Sequence, residues 1–242
     1  DDRLQGQPAA MSARLAVIVP VLDEAAGIEA TLAALQPLRT RGVPLIVVDG
    51  GSRDATVVLA SSLADRVVSA PRGRALQMNA GARTPEAQAA DVLLFLHADT
   101  RLPDDADRTL LRALARTARC WGRFDITIDG RPAVLRLVAR LINLRSRLTG
   151  IATGDQAIFV TRAAYAALEG FAVIPLMEDI DFCRRAKALS RPLCLRARVL
   201  TSGRRWERDG VWRTILLMWR LRLAYWLGAD PAELARRYRA AR

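Results

Sequence analysis

Over its first hundred residues the chain alternates short β-rich runs with stretches whose apolar residues recur at helical spacing, and few folds accept that alternation. The runs are Leu15 to Val19, Leu45 to Val48, Arg66 to Ser69 and Val92 to Leu96, while 24–38, 54–63 and 74–82 carry the helical pattern between them. Strands separated by crossover helices predict an α/β fold with a mixed, mostly parallel sheet flanked by helices. Ser52 or Asp54 is placed to cap the second helix. With 242 residues the chain is long enough for one sizeable core.

In open sheets of this kind ligands collect at the carboxyl ends of the strands. Those ends read PVLDE (20–24), DGGS (49–52) and HAD (97–99). A helix cap explains one carboxylate at such an exit, but three successive exits deliver one each, which points to a site. No GxGxxG follows the first strand, so the dinucleotide-binding fingerprint is missing.

Beyond Asp99, Pro103 starts a helix to about Ala118, Trp121 to Ile128 alternates like a strand, and Ala133 to Leu148 reads as a helix whose only charges are arginines. A strand-like run, Ala157 to Val160, passes through Thr161 as a cap into another helix. MEDIDFCRR (177–185) begins a further helix with Glu178, Asp179 and Asp181 in its first turn, where carboxylates also suit the helix dipole.

Charge is unevenly distributed. The net +12 arises because residues 1–110 carry 11 basic and 14 acidic side chains while residues 111–242 carry 26 and 11. A nucleic-acid partner is the rival explanation of that charge, but no nucleic-acid-binding module is present and Lys187 is the only lysine among 37 basic residues. Cys120, Cys183 and Cys194 are scattered without CxxC spacing, which predicts buried thiols in a reducing, cytoplasmic setting. No run of 18 apolar residues is free of charge. Residues 1–12 read as a disordered tail or an expression remnant without the features of a signal peptide.

Six segments in order, IVPVLDE (18–24), VVDGGSRDAT (47–56), GRALQMNAGA (73–82), FLHADT (95–100), GDQAIF (154–159) and MEDIDFCRR (177–185), resemble glycosyltransferase family 2, the inverting transferases of the Rossmann-like GT-A fold. The closing SGRRWERDGVWRT (202–214) is similar to a subfamily associated with arsenosugar biosynthesis. The resemblance implies a catalytic domain over 13–205, with a nucleotide-binding half (13–102) and an acceptor half (103–205), followed by a C-terminal amphipathic helical region (206–242). It implies transfer of a sugar from a UDP- or GDP-linked donor to a hydroxyl of a small or lipid-linked acceptor, with Mg2+ or Mn2+. A nucleotidyltransferase on a related α/β fold needs the same carboxylates, metal and basic phosphate grip, and a basic peripheral membrane- or RNA-binding protein is the non-enzymatic alternative.

The family pattern puts Pro20, Leu22 and Glu24 around the nucleoside and Asp49 where a carboxylate accepts a hydrogen bond from the base; an Asx-type turn at Asp49 is the competing reading. A hard divalent cation bound through one or two carboxylates and phosphate oxygens best handles the leaving-group charge. Asp99 takes the metal-ligating place of the family's Asp-x-Asp, and His97 replaces its first aspartate, to hydrogen-bond the ribose, touch the metal or serve as a local packing group. Arg74 heads a helix where it reaches donor phosphates or remains a solvated arginine; Gln77 and Asn79 share that helix. Asp179 takes the role of the base that deprotonates the acceptor. Glu178 then neighbours the acceptor or orients a loop, and Asp181 faces elsewhere. Gly154 and Asp155 resemble the acceptor-side loop, where a glycine leaves room for the sugar. Arg204, Arg205 and Trp206 close over the pyrophosphate or the acceptor, or form a surface lid.

In the tail, Trp212, Trp219 and Trp226 recur every seven residues with Leu216 and Leu223 between them, so one helical stripe is apolar while Arg213, Arg220 and Arg222 lie around it. Such a stripe suits an anionic membrane surface, with peripheral attachment on its inner face, or else the domain's own core or a second copy in a homodimer. Residues 229–239 read as a short closing helix after Gly228.

Overall fold

The computed structural model describes residues 13–240, so the tail expected over 1–12 lies outside the described residues. In chain order the first half contains β1 (Leu15–Val21), α1 (Ile28–Thr40), β2 (Leu45–Asp49), α2 (Thr56–Ser61), β3 (Arg66–Ser69), α3 (Arg74–Ala82), α4 (Pro85–Gln88), β4 (Val92–Phe95) and β5 (Thr100–Arg101). Then come α5 (Ala106–Ala115), β6 (Trp121–Ile128), α6 (Val134–Thr149), a 3-10 turn (Gly154–Gln156), β7 (Ile158–Thr161), α7 (Arg162–Ala167) and α8 (Glu178–Leu189). β8 (Leu193–Thr201), α9 (Arg204–Asp209), α10 (Val211–Trp226) and α11 (Pro231–Ala240) complete the order.

The strands form one mixed sheet in the order β3-β2-β1-β4-β7-β6-β8-β5. β3, β2, β1 and β4 run parallel, and so do β6 and β8; β7 lies antiparallel between β4 and β6, and β5 antiparallel to β8. β1 is buried along its whole length because helices cover both sheet faces, which is why LAVIVPV lacks a polar alternation. Successive side chains point to opposite faces, so Leu15, Val17 and Val19 enter one core cluster and Ala16 and Ile18 the other. The α/β fold expected from the alternation of runs is the one found.

Two expectations need correction. The first helix starts at Ile28 rather than 24, because residues 23–25 donate their backbone N–H groups to side chains of the turn after β2. Ser52 does not cap α2; its hydroxyl accepts from the Asp23 N–H at 2.9 Å. In the tail, α10 carries the tryptophan stripe and α11 is the short closing helix expected after Gly228, while Gly210 at φ 82° separates α10 from α9. β8 was not anticipated, although from Leu195 to Thr201 its side chains alternate between inward and outward positions.

Candidate active site

The exit of β1 is fixed by a ladder of local hydrogen bonds. The N–H groups of Asp23, Glu24 and Ala25 donate to Ser52 Oγ, Thr56 Oγ1 and Asp54 Oδ2 at 2.9, 2.8 and 3.0 Å, and the Arg53 N–H returns to Asp23 Oδ1 at 2.8 Å. The polar residues of SRDAT therefore hold the loop that carries Glu24. Gln77, buried on α3, donates to the carbonyls of Val21 and Val48 at 2.7 and 2.9 Å and pins the ends of β1 and β2 together. Asn79 is likewise structural, bonded to Phe171 and the Tyr165 hydroxyl.

Pro20 and Leu22 flank the last residue of β1, and Val21 stands in register with Asp49 of β2. Asp49 is buried, and its carboxylate accepts from the N–H groups of Gly51 and Ser52 at 3.0 and 3.1 Å. The Asx-type turn is thus formed, at the strand edge where the nucleoside contact was expected.

A second group converges on the other side of that edge. Glu24 is held above the usual carboxylate range by burial and then by the Asp99 carboxylate, against the opposing Arg204 and Arg74 guanidinium groups. Arg74 stands at the start of α3, a start that Gly73 makes accessible by adopting φ 146°. Desolvation pulls its guanidinium down, but Glu178, Tyr238, Asp179 and Asp99 outweigh it and leave Arg74 raised. Asp179, in the first turn of α8, is pushed up to about 6 by burial and then by Glu178. Its oxygens accept from the N–H groups of Gly154 and Ile180 at 3.0 and 2.7 Å. Asp155 is raised by burial, while the Thr153 hydroxyl it accepts from opposes the shift and Asp179 and Asp99 add to it. Asp99 itself is exposed on the loop between β4 and β5. Glu24, Arg74, Asp99, Asp155, Glu178, Asp179 and Arg204 accordingly act on one another across one cleft, although they come from six separate stretches of chain.

Under these carboxylates lies a small cavity lined by Met78, Phe95, His97, Gly154, Ile158, Phe171, Glu178 and Asp179. His97 packs against Gly154 so closely that a Cβ there would come within 2.2 Å of Nε2. Gly154 therefore leaves room for the imidazole. Burial, with help from Arg74, holds His97 well below the ordinary histidine value, so the ring is neutral at pH 7.

The other expected closing residues are engaged elsewhere. Arg205 donates to the Tyr238 hydroxyl, stacks over that ring at 4.6 Å and lies 3.8 Å from Asp209. Trp206 packs against the hydrophobic core. Asp181 faces away from the cleft and pairs with Arg185 at 2.7 Å and Arg184 at 3.4 Å.

Two features escaped the sequence. Arg145 of α6, expected on a cationic surface, buries Nε and Nη2 without a hydrogen-bond partner in the field of Asp155 and Asp179. No sequence signal marked it: position 145 stands one turn after the exposed Leu141 and on the border between the exposed leucine stripe and the buried Leu135 and Val138, so helical spacing alone does not turn it inward. The second is backbone strain. Asp23, Ala157 and Met177 adopt φ of 53°, 48° and 71°, immediately beside Glu24, the 154–156 turn and Glu178. Left-handed conformations cost a non-glycine residue about 1–3 kcal/mol each and cluster where surrounding structure aims functional groups.

Among the described residues no group of three or more His, Cys, Asp or Glu side chains forms a ready metal cage. Asp99, with Glu24 nearby, offers one or two carboxylates, the donor set that suits a hard cation arriving with a diphosphate.

The fold is shared with solved transferases. TarS 1–349 from S. aureus in complex with UDP-GlcNAc superposes with a TM-score of 0.61 at 17% identity, over 78% of this chain and 58% of that one. A mannosyltransferase from Pyrobaculum calidifontis with GDP-Man and Mn2+ gives 0.56 at 21% identity, over 79% and 57%. Glucosyl-3-phosphoglycerate synthase from Mycobacterium tuberculosis with Mn2+, UDP and glucosyl-3-phosphoglycerate gives 0.57 at 22% identity, over 77% and 70%. The chain thus spans less than two thirds of the length of the first two. No curated protein sequence matches it. The model of the family described as Glycosyl transferase family 2 matches residues 16–164, from β1 through the start of α7 and so through every strand exit described above, and by that match the chain belongs to glycosyltransferase family 2.

Proposed function

We propose that the chain is an inverting, metal-dependent glycosyltransferase that moves a sugar from a nucleoside diphosphate donor to an acceptor hydroxyl. The observation that carries the reading is the meeting of Asp99 and Glu24 with Arg74 and a proton-poised Asp179 in one cleft at the carboxyl edge of the sheet. The structural neighbours bind UDP-GlcNAc, GDP-Man with Mn2+, or UDP with Mn2+, which supports a donor of that class and a divalent ion here.

Pro20, Leu22 and Asp49 receive the nucleoside at the ends of β1 and β2. Asp99 and Glu24 hold Mg2+ or Mn2+, which when bound supplies positive charge to the diphosphate. Arg74 and Arg204 add charge to the same phosphates. Asp179 accepts the proton of the acceptor hydroxyl as that oxygen bonds to the anomeric carbon; the bond from that carbon to the diphosphate breaks, and its electron pair leaves with the nucleoside diphosphate. Glu178 and Asp155 line the acceptor side with Arg145. Arg205 and Trp206 contribute by fixing α9, which carries Arg204. The resemblance of 202–214 to the arsenosugar-associated subfamily makes a small polar acceptor a candidate beside a lipid-linked one.

Asp99→Ala should weaken Mn2+-dependent binding of UDP or GDP about tenfold or more, read by calorimetry with and without the ion. Asp179→Asn should leave that binding within about twofold and slow metal-stimulated sugar-nucleotide turnover about 10²- to 10⁴-fold. Turnover at the parent rate in both variants would end this assignment of roles.

A further inference from the structure

α10 has two apolar faces, and only one is satisfied by the protein. Its inward face, with Leu221 buried and Leu217, Met218, Ala224 and Tyr225 partly so, packs on the core cluster that also contains Ile180, Phe182 and Cys183 of α8. Its outward face presents Trp212, Leu216, Trp219, Leu223 and Trp226, each 58–75% exposed. These positions follow i, i+4, i+7, i+11, i+14, a single stripe along four turns. Three exposed tryptophans on one stripe are not the scatter of single apolar residues that a solvated surface tolerates.

Charge decides what covers the stripe. α10 contains Arg213, Arg220 and Arg222 and no acidic residue. A second copy would bring an equally cationic helix to the same stripe, with like charge facing like charge in a two-fold contact. An anionic lipid surface offers the complement: acyl chains for the leucines, the headgroup boundary for the amphipathic indoles, and negative charge for the flanking guanidinium groups. No helix among the described residues is long and apolar enough to cross a membrane, so the helix would lie on the surface.

We propose that the outward stripe of α10 seats the protein on an anionic lipid bilayer beside the mouth of the cleft. The placement follows from the inward face, which shares a core cluster with Ile180, Phe182 and Cys183 of α8, the helix that carries the candidate base, while Asp181 and Asp179 both act on Tyr225 of that face. Acceptor hydroxyls borne by lipids would then reach Asp179 from the membrane side. That consequence rests on the transferase reading, whereas the seating does not.

The full chain is centrifuged with vesicles of phosphatidylcholine alone and of phosphatidylcholine with about one third phosphatidylglycerol. Binding is expected to be at least about tenfold stronger on the anionic vesicles and to fall similarly in the Trp212→Ser, Trp219→Ser, Trp226→Ser triple variant, while Mn2+-dependent UDP or GDP binding stays unchanged. Trp219→Glu alone should show the same loss if the triple variant folds poorly. Protein that stays in the supernatant, or variants that bind vesicles like the parent, would overturn the proposal. A dimer by light scattering that becomes a monomer in the variants would also overturn it, by giving the stripe to a second copy. Asp99→Ala separates the two readings, since it should keep vesicle binding whether or not the donor assignment survives.

Discussion

Asp179 shows how one side chain couples chemistry to stability. Glu178 and Asp155 face it with like charge, Arg74 and Arg145 with opposite charge, and burial dominates, so its folded value lies at about 6 against an ordinary value of 3.8. A raised carboxylate contributes stability below its unfolded value and loses that contribution as pH rises through the folded one. Asp179→Asn should therefore raise the melting temperature at pH 7.5 and change it little at pH 4, as scanning calorimetry can read; an equal shift at both would mean that the carboxylate is not the group titrating. The role proposed for the residue rests, in the sequence, on the ordered set of motifs alone, because three carboxylates in a first helical turn fit a dipole equally well. Gly154 was legible as a position needing a glycine, but its contact with His97 was not, since the imaginary Cβ collides with an imidazole 57 positions away in sequence and no spacing encodes that contact.

The elements that position the site are joined by buried polar contacts as well as by the apolar core. Arg123 and Asp125, two apart on β6 and therefore on one face, form a buried ion pair, and Arg147 of α6 reaches the same carboxylate at 2.6 Å. Asn143 of α6 bonds both the N–H and the carbonyl of Ile126, at 2.9 and 3.0 Å. α6 is thereby tied to the bulge in the pairing of β6 with β8 after Phe124, and its last turn reaches the 154–156 turn through the Gln156 to Ser146 hydrogen bond at 3.1 Å. Asp125→Ala leaves Arg123 buried without its counter-ion and should cost about 3–5 kcal/mol. Urea denaturation would check this, and a loss under about 1 kcal/mol would show that the pair is not what holds the helix. At this scale unbroken apolar runs located β1, β2 and β4 within a residue or two, because strands buried on both faces need such a stretch, whereas β6, which carries Arg123 and Asp125, was legible by its alternation. β8 escaped because its outward positions mix Arg196 and Arg198 with an apolar Leu200, and a strand at half burial writes a weaker pattern than a central one.

Across the whole molecule, charges of one sign gather where the fold requires it least. Glu24 and Asp155 are held above their ordinary range, and so is Asp179, because the edge of the sheet brings carboxylates together in a cleft that desolvates them. The arginines on hand do not cancel this: Arg145 lies in the cleft without a hydrogen bond at Nε or Nη2, and most of the excess positive charge of the second half is spread over outer helices. The folded chain therefore pays for its site in stability at neutral pH, and a divalent cation held there would relieve the repulsion. Such linkage is thermodynamic: an ion that binds only the folded form at about a hundred times its Kd adds about 2.7 kcal/mol, or roughly 5–10 °C in a domain of this size. Mn2+ alone should raise the melting temperature at pH 7.5 by an amount of that order, and by much less at pH 5, where Asp179 is mostly protonated and the cleft carries less charge to relieve. Asp99→Ala should remove most of the pH 7.5 increment, because it deletes the one exposed carboxylate that both Glu24 and Arg74 sense. An increment of the same size at both pH values, or one untouched by that substitution, would place the ion elsewhere on the molecule and detach the cleft from the metal.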